Sequence, residues 1–329
     1  MMLMLLILNL LGVRFLFCSD IEFQVYPLIA EFERMENLEP LKYSKEQFQM
    51  IQQVIDLKGN WIRVMTYNVL FDVKDEDLDF QYKWPQRRSK VSQLIKLINP
   101  DILCVQELKA NQLDDLMSSL WDSFNFYGEP VVLDGDIDGI FFRKDRFAVL
   151  DKRTTQLGWE GDVHSLTNVI FYDQLTHKQF SVFNTHLPYS SCESRLNSAI
   201  QISENITHSV ALMPVIFAGD LNTIPQRLDY KGLPFYDGDY VKNIIKGSVL
   251  FDSFDRSILG HLGPISTYTN GPESNNGIPF AGTGVPGIIL DHIFTTDDIK
   301  IVIHAVEKAR INGRFPSDHM PVIVDLLIP

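Results

Sequence analysis

Six stretches of this chain end an apolar run on the same few residue types. "TYNVL" gives Asn68, "LCVQEL" gives Glu107, "VFNTHL" gives Asn184 and His186, and "FAGDLN" gives Asp220 and Asn222. "ILDHIF" gives Asp291 and His292, and "FPSDHMPV" gives Asp318 and His319 just before a last apolar run. One such residue at a strand end is an ordinary cap or turn residue. Six endings built only from Asn, Asp, Glu and His require a stronger account, and strand ends that converge on one mouth provide it. Carboxylates and carboxamides without thiols are hard oxygen ligands, suited to Mg²⁺, with Mn²⁺ or Ca²⁺ as alternatives. A histidine beside a carboxylate is held in one tautomer and can move a proton or face negative charge. Together these groups are what water attack on a phosphate ester needs. The sequence has no Ser or Cys elbow with a matching base, no Gly-rich phosphate loop and no Cys/His spacing for zinc.

Positioning those residues takes strands and helices in mixed order. Residues 61–70, 101–108, 213–222, 287–296 and 319–328 read as strands, and 138–151 as two strands about a turn at Arg143–Asp145. Residues 168–187 read as a hairpin. Val91, Leu94, Ile95 and Ile98 share one face of a helix over 84–100 that Asn99–Pro100 ends, and 194–211 is a second helix. Residues 44–57 open with Ser44 and Gln47 in capping-box spacing and place Phe48, Ile51, Val54 and Ile55 on one face. Hairpins and crossovers together are not the regular alternation of a doubly wound fold. The expectation is an α+β (mixed α/β) fold, two mixed β-sheets packed together with helices outside. No linker follows residue 60, so 61–329 is expected to be one domain of about 270 residues.

Composition is ordinary for a globular protein: 329 residues, 45% hydrophobic and 22% charged. A formal net charge of −13 excludes a protein that coats nucleic acid electrostatically. It does not exclude an enzyme that meets a few phosphates through a metal. Residues 1–19 form an apolar run broken by Arg14, with polar sequence from Asp20. They read as a signal peptide for a secreted or exported (periplasmic or extracellular) protein, or as an uncleaved anchor. Residues 20–60 are then an N-terminal extension carrying one helix. Apart from Cys18, Cys104 and Cys192 allow at most one bridge.

Asn68, Glu107, His186, Asp220, Asn222, Asp291 and Asp318–His319 stand in the order seen in the endonuclease/exonuclease/phosphatase superfamily, which the chain resembles over about residues 61–328. This superfamily of metal-dependent phosphoesterases includes pancreatic deoxyribonuclease, deadenylases, neutral sphingomyelinases and inositol polyphosphate 5-phosphatases. The resemblance implies a four-layer αββα sandwich with the site at one end of its two sheets. It implies Glu107, Asn68 and Asp318 as the metal set, with Glu107 the principal ligand. Asp220 would orient or deprotonate the attacking water, and Asn222 would hold that water or a phosphate oxygen. His319 would contact the scissile phosphate with its ring fixed by Asp291, and His186 would face the phosphate or leaving group from the other side. Tyr189 and Arg195 are candidates to touch substrate, although Arg195 equally suits a helix start.

Other residues read as structural. His292 points away from the site by alternation, and Trp84 and Arg87 pack or cap their helix. His164, His177, His208, His261 and His304 are ordinary contacts. Asp134, Asp136 and Asp138 read as a solvated turn, with a second cation site as the alternative. Asn205-Ile-Thr207 is a glycosylation sequon on an expected helix.

The region 223–286 is expected to build the substrate rim, and its loops carry specificity on such a scaffold. "GVPGIILD" before Asp291 lacks the Trp-Cys signature of the inositol phosphatase branch, and Leu70 replaces the acidic residue of the abasic-site branch. "TYNVLFD", "DGIFFRKDRF" and "STYTN" resemble the deadenylase branch. The first expectation is a secreted nuclease acting on DNA or RNA. The second is a sphingomyelinase or phospholipase C-like enzyme, for which Phe235, Tyr236 and Phe280 would supply the apolar rim. The third is a binding protein that kept the fold without catalysis. A monomer without an obligate protein partner is expected.

Overall fold

The structure is a computed structural model and describes residues 60–72, 80–133, 135–223, 239–247, 249–269 and 288–329. The apolar stretch 1–19, the helix expected at 44–57, Asp134, Phe235, Tyr236 and Phe280 lie outside the described residues.

Two mixed sheets carry the fold. The first contains β1 (Ile62–Asn68), β2 (Ile102–Leu108), β3 (Phe124–Tyr127), β4 (Ile137–Arg143), β10 (His261–Leu262), β12 (Lys300–Val306) and β13 (Val322–Leu327), in the order β10-β12-β13-β1-β2-β4-β3. The second contains β5 (Phe147–Trp159), β6 (Asp162–Asp173), β7 (Lys178–His186), β8 (Val215–Asp220), β9 (Leu250–Asp252) and β11 (Asp291–Thr296), in the order β5-β6-β7-β8-β11-β9. Ile62, Val64, Ile102, Cys104, Val182, Ile216, Ala218, Ile293, Val322 and Val324 form the layer between the sheets. They are alternate residues of their strands, so the other face of each strand is left for helices.

Helices α1 (Trp84–Ile98) and α2 (Ala110–Leu120) cover the first sheet, where Val91, Leu94, Ile95 and Leu116 meet Met65, Tyr67, Leu103 and Val105. Helix α3 (Cys192–Val210) and the short α4 (Tyr240–Lys246) cover the second through Ala199, Ile202, Ile206 and Ile245 against Phe183, Phe217 and Phe294. The single turn α5 (Ser253–Arg256) follows β9. The four layers are therefore helix, sheet, sheet, helix. Among the described residues no helix is long and apolar enough to cross a membrane.

Local sequence explains the boundaries. α1 ends where Asn99 turns left-handed (φ 52°) and returns its N–H to Ile95 O, and Pro100 cannot continue a helix. The Ser191 side chain caps α3 by accepting from Ser194 N. The two strands read at 138–151 are present but do not pair with each other, because β4 belongs to the first sheet and β5 to the second. Helix α2 and strands β3 and β12 were not expected from the sequence. β3 is only four residues long, and α2 buries little beyond Gln112, Leu116 and Leu120.

Two of the parallel pairs, β1 with β2 and β7 with β8, deliver their carboxyl ends to one side. β11 runs antiparallel to β8 with Asp291 opposite Asp220, so its amino end arrives there too.

Candidate active site

On three second-sheet strands the inward face is apolar in the core and polar at the end that reaches the site. β7 runs Phe180, Val182, then Asn184 and His186; β8 runs Ile216, Ala218, then Asp220; β11 begins with Asp291 and continues to Ile293. The same alternation that builds the core therefore aims these groups between the sheets. On the first sheet β1 does likewise, with Thr66 and Asn68 following Ile62 and Val64.

Glu107 breaks this rule. Alternation along β2 turns Gln106 inward and would send Glu107 outward among Leu103, Val105 and Leu108. Instead Glu107 takes a left-handed backbone (φ 59°), and the β2–β4 register slips between Val105 and Leu108. This β-bulge re-aims the side chain. Its Oε1 accepts from Asn68 Nδ2 at 3.0 Å and its Oε2 from Phe71 N at 3.1 Å.

Asn68 bridges the sheets. Its Nδ2 also donates to Asp220 Oδ2 at 3.0 Å, while its Oδ1 accepts from Leu70 N at 3.0 Å. In this arrangement Asn68, expected among the metal ligands, is engaged with protein groups. The nitrogen faces the two carboxylates and the oxygen is engaged by the backbone, so Asn68 acts as a clamp that fixes Glu107 against Asp220.

His319 is held on both sides. Its Nδ1–H donates to Asp291 Oδ2 at 2.8 Å, which leaves Nε2 3.6 Å from Asp220 Oδ2. Burial opposes charge on this ring, but Asp291 and Asp220 outweigh it and hold the imidazole well above its ordinary pKa. Burial likewise raises Asp220, yet His319 and then His186 pull it below the ordinary carboxylate value. Glu107 is raised by burial and by Asp318, against the opposing pull of His186.

Across the pocket His186 Nε2 lies 2.9 Å from Asn222 Nδ2, 3.6 Å from Asp220 and 3.9 Å from Glu107. The neutral ring accepts from Asn222. The protonated ring is disfavoured by burial and favoured more strongly by Asp220 and Glu107, and it requires the Asn222 carboxamide to turn. Asn222 sits left-handed (φ 46°) just beyond β8 and also donates to Leu187 O.

Asp318 reaches the pocket on a segment tied at several points. Ser317 Oγ donates to Asn68 O at 2.7 Å, Thr269 N and Oγ1 both donate to Asp318 O, and Met320 N donates to Thr267 O. Tyr268 lies edge-on to the His319 ring at 5.2 Å. Burial, and after it the charges of Asp318, Glu107 and Asp220, push the Tyr268 phenol up to about 12. Thr267, Tyr268 and Thr269 thus hold the Asp318–His319 segment in place, a role that their sequence alone did not disclose.

Arg87 contributes more than helix packing. Its fully buried guanidinium donates to Tyr82 O, Val69 O, Leu70 O and Pro316 O at 2.6–3.0 Å. It joins the loop after Asn68 to the loop before Asp318. Only a buried basic residue near a helix start signalled this.

Arg195 and Asp138 depart from expectation. Arg195 is fully buried, donating to Pro188 O and Tyr189 O, so it shapes the loop after His186 and does not reach substrate. Tyr189 stands 61% exposed on that loop. Asp138 belongs to no solvated turn: it is buried on β4, accepts from Ser165 Oγ at 2.6 Å, and burial lifts its carboxyl to about 6. Asp136 is paired with Lys109 at 2.6 Å. His292 does face away, stacked on Phe294 and 3.6 Å from Asp252.

The site fits a hard divalent cation. Glu107, Asp220, Asp291 and Asp318 converge in a buried pocket, and carboxylates so close need positive charge to stay ionised together. Donor atoms of Asp220, Asp291 and His319 all lie within 4.8 Å of one another, and buried Asp291 Oδ1 has no hydrogen-bond partner. This compact cluster differs from the expected trio of Asn68, Glu107 and Asp318.

Comparison with known proteins gives a consistent result. The family model for the "Endonuclease/Exonuclease/phosphatase family" matches residues 65–319. Mouse (Mus musculus) Nocturnin is 26% identical over 229 residues, covering 62% of this chain and 53% of that protein. The chain spans about half the length of the Nocturnin relatives it matches. A mannosyl-6-phosphatase from Bacteroides thetaiotaomicron superposes with a TM-score of 0.67 at 21% identity, covering 81% of this chain and 100% of that one. TDP2 of D. rerio in complex with a single-strand DNA product gives 0.58 at 18% identity, covering 81% and 98%. At these identities the two structures establish the shared fold. By its matched span, its four-layer sandwich and the site at the sandwich end, the chain belongs to the endonuclease/exonuclease/phosphatase family, whose members hydrolyse phosphoester bonds.

Proposed function

We propose that this chain is a Mg²⁺-dependent phosphodiesterase that hydrolyses nucleic acid by water attack at phosphorus. The observation that carries the reading is the Asp291–His319–Asp220 line facing Glu107. With Nδ1 bound to Asp291, the His319 ring presents Nε2–H to a phosphate oxygen. Asp220, held below its ordinary pKa, accepts a proton from water. His186 faces the pocket from the other side, where it can protonate the departing oxygen. A divalent ion held by Glu107 and Asp318 would supply Lewis-acid stabilisation of phosphate charge. Mn²⁺ or Ca²⁺ would fit the same oxygen donors.

The single-strand DNA product held by the TDP2 relative supports a nucleic-acid substrate. An alternative substrate, a phospholipid head group, is favoured by the exposed Leu133 (94%) and Tyr189. We further propose that residues 61–329 form the catalytic domain and that residues 1–19 direct export.

The full chain should be offered single- and double-stranded DNA, RNA, sphingomyelin and a phosphomonoester, in Mg²⁺ and in EDTA. Metal-dependent loss of a nucleic acid is the expected result. Release of phosphocholine with nucleic acid intact would move the protein to the lipid branch, and inactivity on all five would leave a binding role.

A further inference from the structure

We infer that Asn184 and Gln106 form a positioning device that holds Glu107 in the site. The inference rests on the reading of Glu107 as a metal-facing carboxylate. Neither residue reaches the pocket mouth, and both are fully buried.

The register shows what must be held. Val105 pairs with Gly139 and Leu108 with Ile137, so Gln106 and Glu107 together face only Asp138. The extra residue depends on a left-handed backbone at Glu107, which lacks the freedom of glycine. A regular strand would relieve that strain by returning Glu107 to the helix-facing layer. Something must favour the bulge over the regular strand.

Asn184 is placed to do this from the other sheet. One Nδ2 hydrogen goes to Val105 O at 2.8 Å and the other to Gly139 O at 2.9 Å, the carbonyls of the last register pair before the slip. Its Oδ1 accepts from Gln106 Nε2 at 2.6 Å, and Gln106 Nε2 also donates to Thr66 Oγ1 at 2.9 Å. One carboxamide thus binds β2, β4 and the residue next to Glu107 at once. A Cβ at Gly139 would overlap the Phe126 ring, so β4 is glycine at this register pair. Resolving the bulge by moving Val105 past Gly139 would strand two buried donors and an acceptor, and buried groups left unpaired are costly.

Asn184→Leu keeps the side-chain shape and removes both donors. The full-length variant should show faster hydrogen exchange in peptides spanning 103–109, and Mn²⁺ affinity, measured by electron paramagnetic resonance, should fall at least tenfold. In a Glu107→Gln background the same change should cost no further Mn²⁺ affinity, because Asn184 acts through Glu107. Unchanged exchange, or affinity losses that multiply in the double variant, would overturn the proposal. If Asn184→Leu does not fold, Gln106→Met cuts the same network at its other end and is judged by the same two outcomes. Failure of the wild-type chain to bind Mn²⁺ would sink the metal reading, and the exchange result alone would then decide the positioning role.

Discussion

His186, Asp220 and Asp291 on the second sheet are terminal inward positions of strands whose inward faces are apolar farther into the core. Glu107 on the first sheet enters the same pocket through a left-handed residue and a slipped register. The second-sheet residues thus stand on ordinary strand geometry. The first-sheet side depends on Asn68, Asn184 and Arg87 to hold an arrangement that a regular strand would not adopt. Each half can therefore be broken by a different kind of change.

The largest effects are expected where chemistry is removed without touching the scaffold. Asp220→Asn or His319→Ala should lower turnover by about 10³-fold or more. A fully active variant would remove that residue from the mechanism.

Arg87→Met should act the other way, through the scaffold. It leaves four carbonyls in the loops beside Asn68 and Asp318 without this donor, so stability should fall by about 3 kcal/mol or more in urea titration. A stable variant would show that these loops hold themselves.

Asp291→Asn separates orientation from charge on the second sheet. The carboxamide can still accept from His319 Nδ1, but the ring loses the carboxylate that holds its pKa up. The protonated ring should therefore be lost at lower pH, and the alkaline limb of the pH–rate profile should move down. An unmoved limb would assign that limb to another group.

A smaller effect concerns stability far from the site. His304 is buried against His261, Nδ1 to Nδ1 at 2.8 Å, and His261 Nε2 donates to Pro264 O. Burial, then His261, depresses His304 to about 3 from an ordinary 6.5. The unfolded chain binds this proton and the folded chain does not, so stability is present above pH 6.5 and is lost as pH falls from there toward 3. His304→Gln should flatten the melting temperature over that range. His319, equally buried but paired with a carboxylate, has its pKa moved in the opposite direction.

The same contrast explains what the sequence disclosed. Endings such as "FAGDLN" and "VFNTHL" were legible because period-two alternation carries directly into the site. Glu107 was identified by its motif and not by alternation, which points it the wrong way. Arg87 and Arg195 were hidden because a buried guanidinium satisfied by backbone carbonyls leaves no local pattern. Asp138 was misread for a related reason: its acidic neighbours suggest solvent, whereas its place on β4 turns it inward. The amide orientation of Asn68 depends on Leu70 N, Glu107 and Asp220, and the two carboxylates are far from it in sequence.

The most direct test of the account is hydrolysis of single-stranded DNA by wild type and Glu107→Gln across a Mg²⁺ titration. The account predicts saturable activation of the wild type, abolition by EDTA, and a rate at least about 10²-fold lower in the variant at every Mg²⁺ concentration. Wild-type hydrolysis that persists in EDTA, or a Glu107→Gln variant with the same Mg²⁺ dependence and rate, would contradict it.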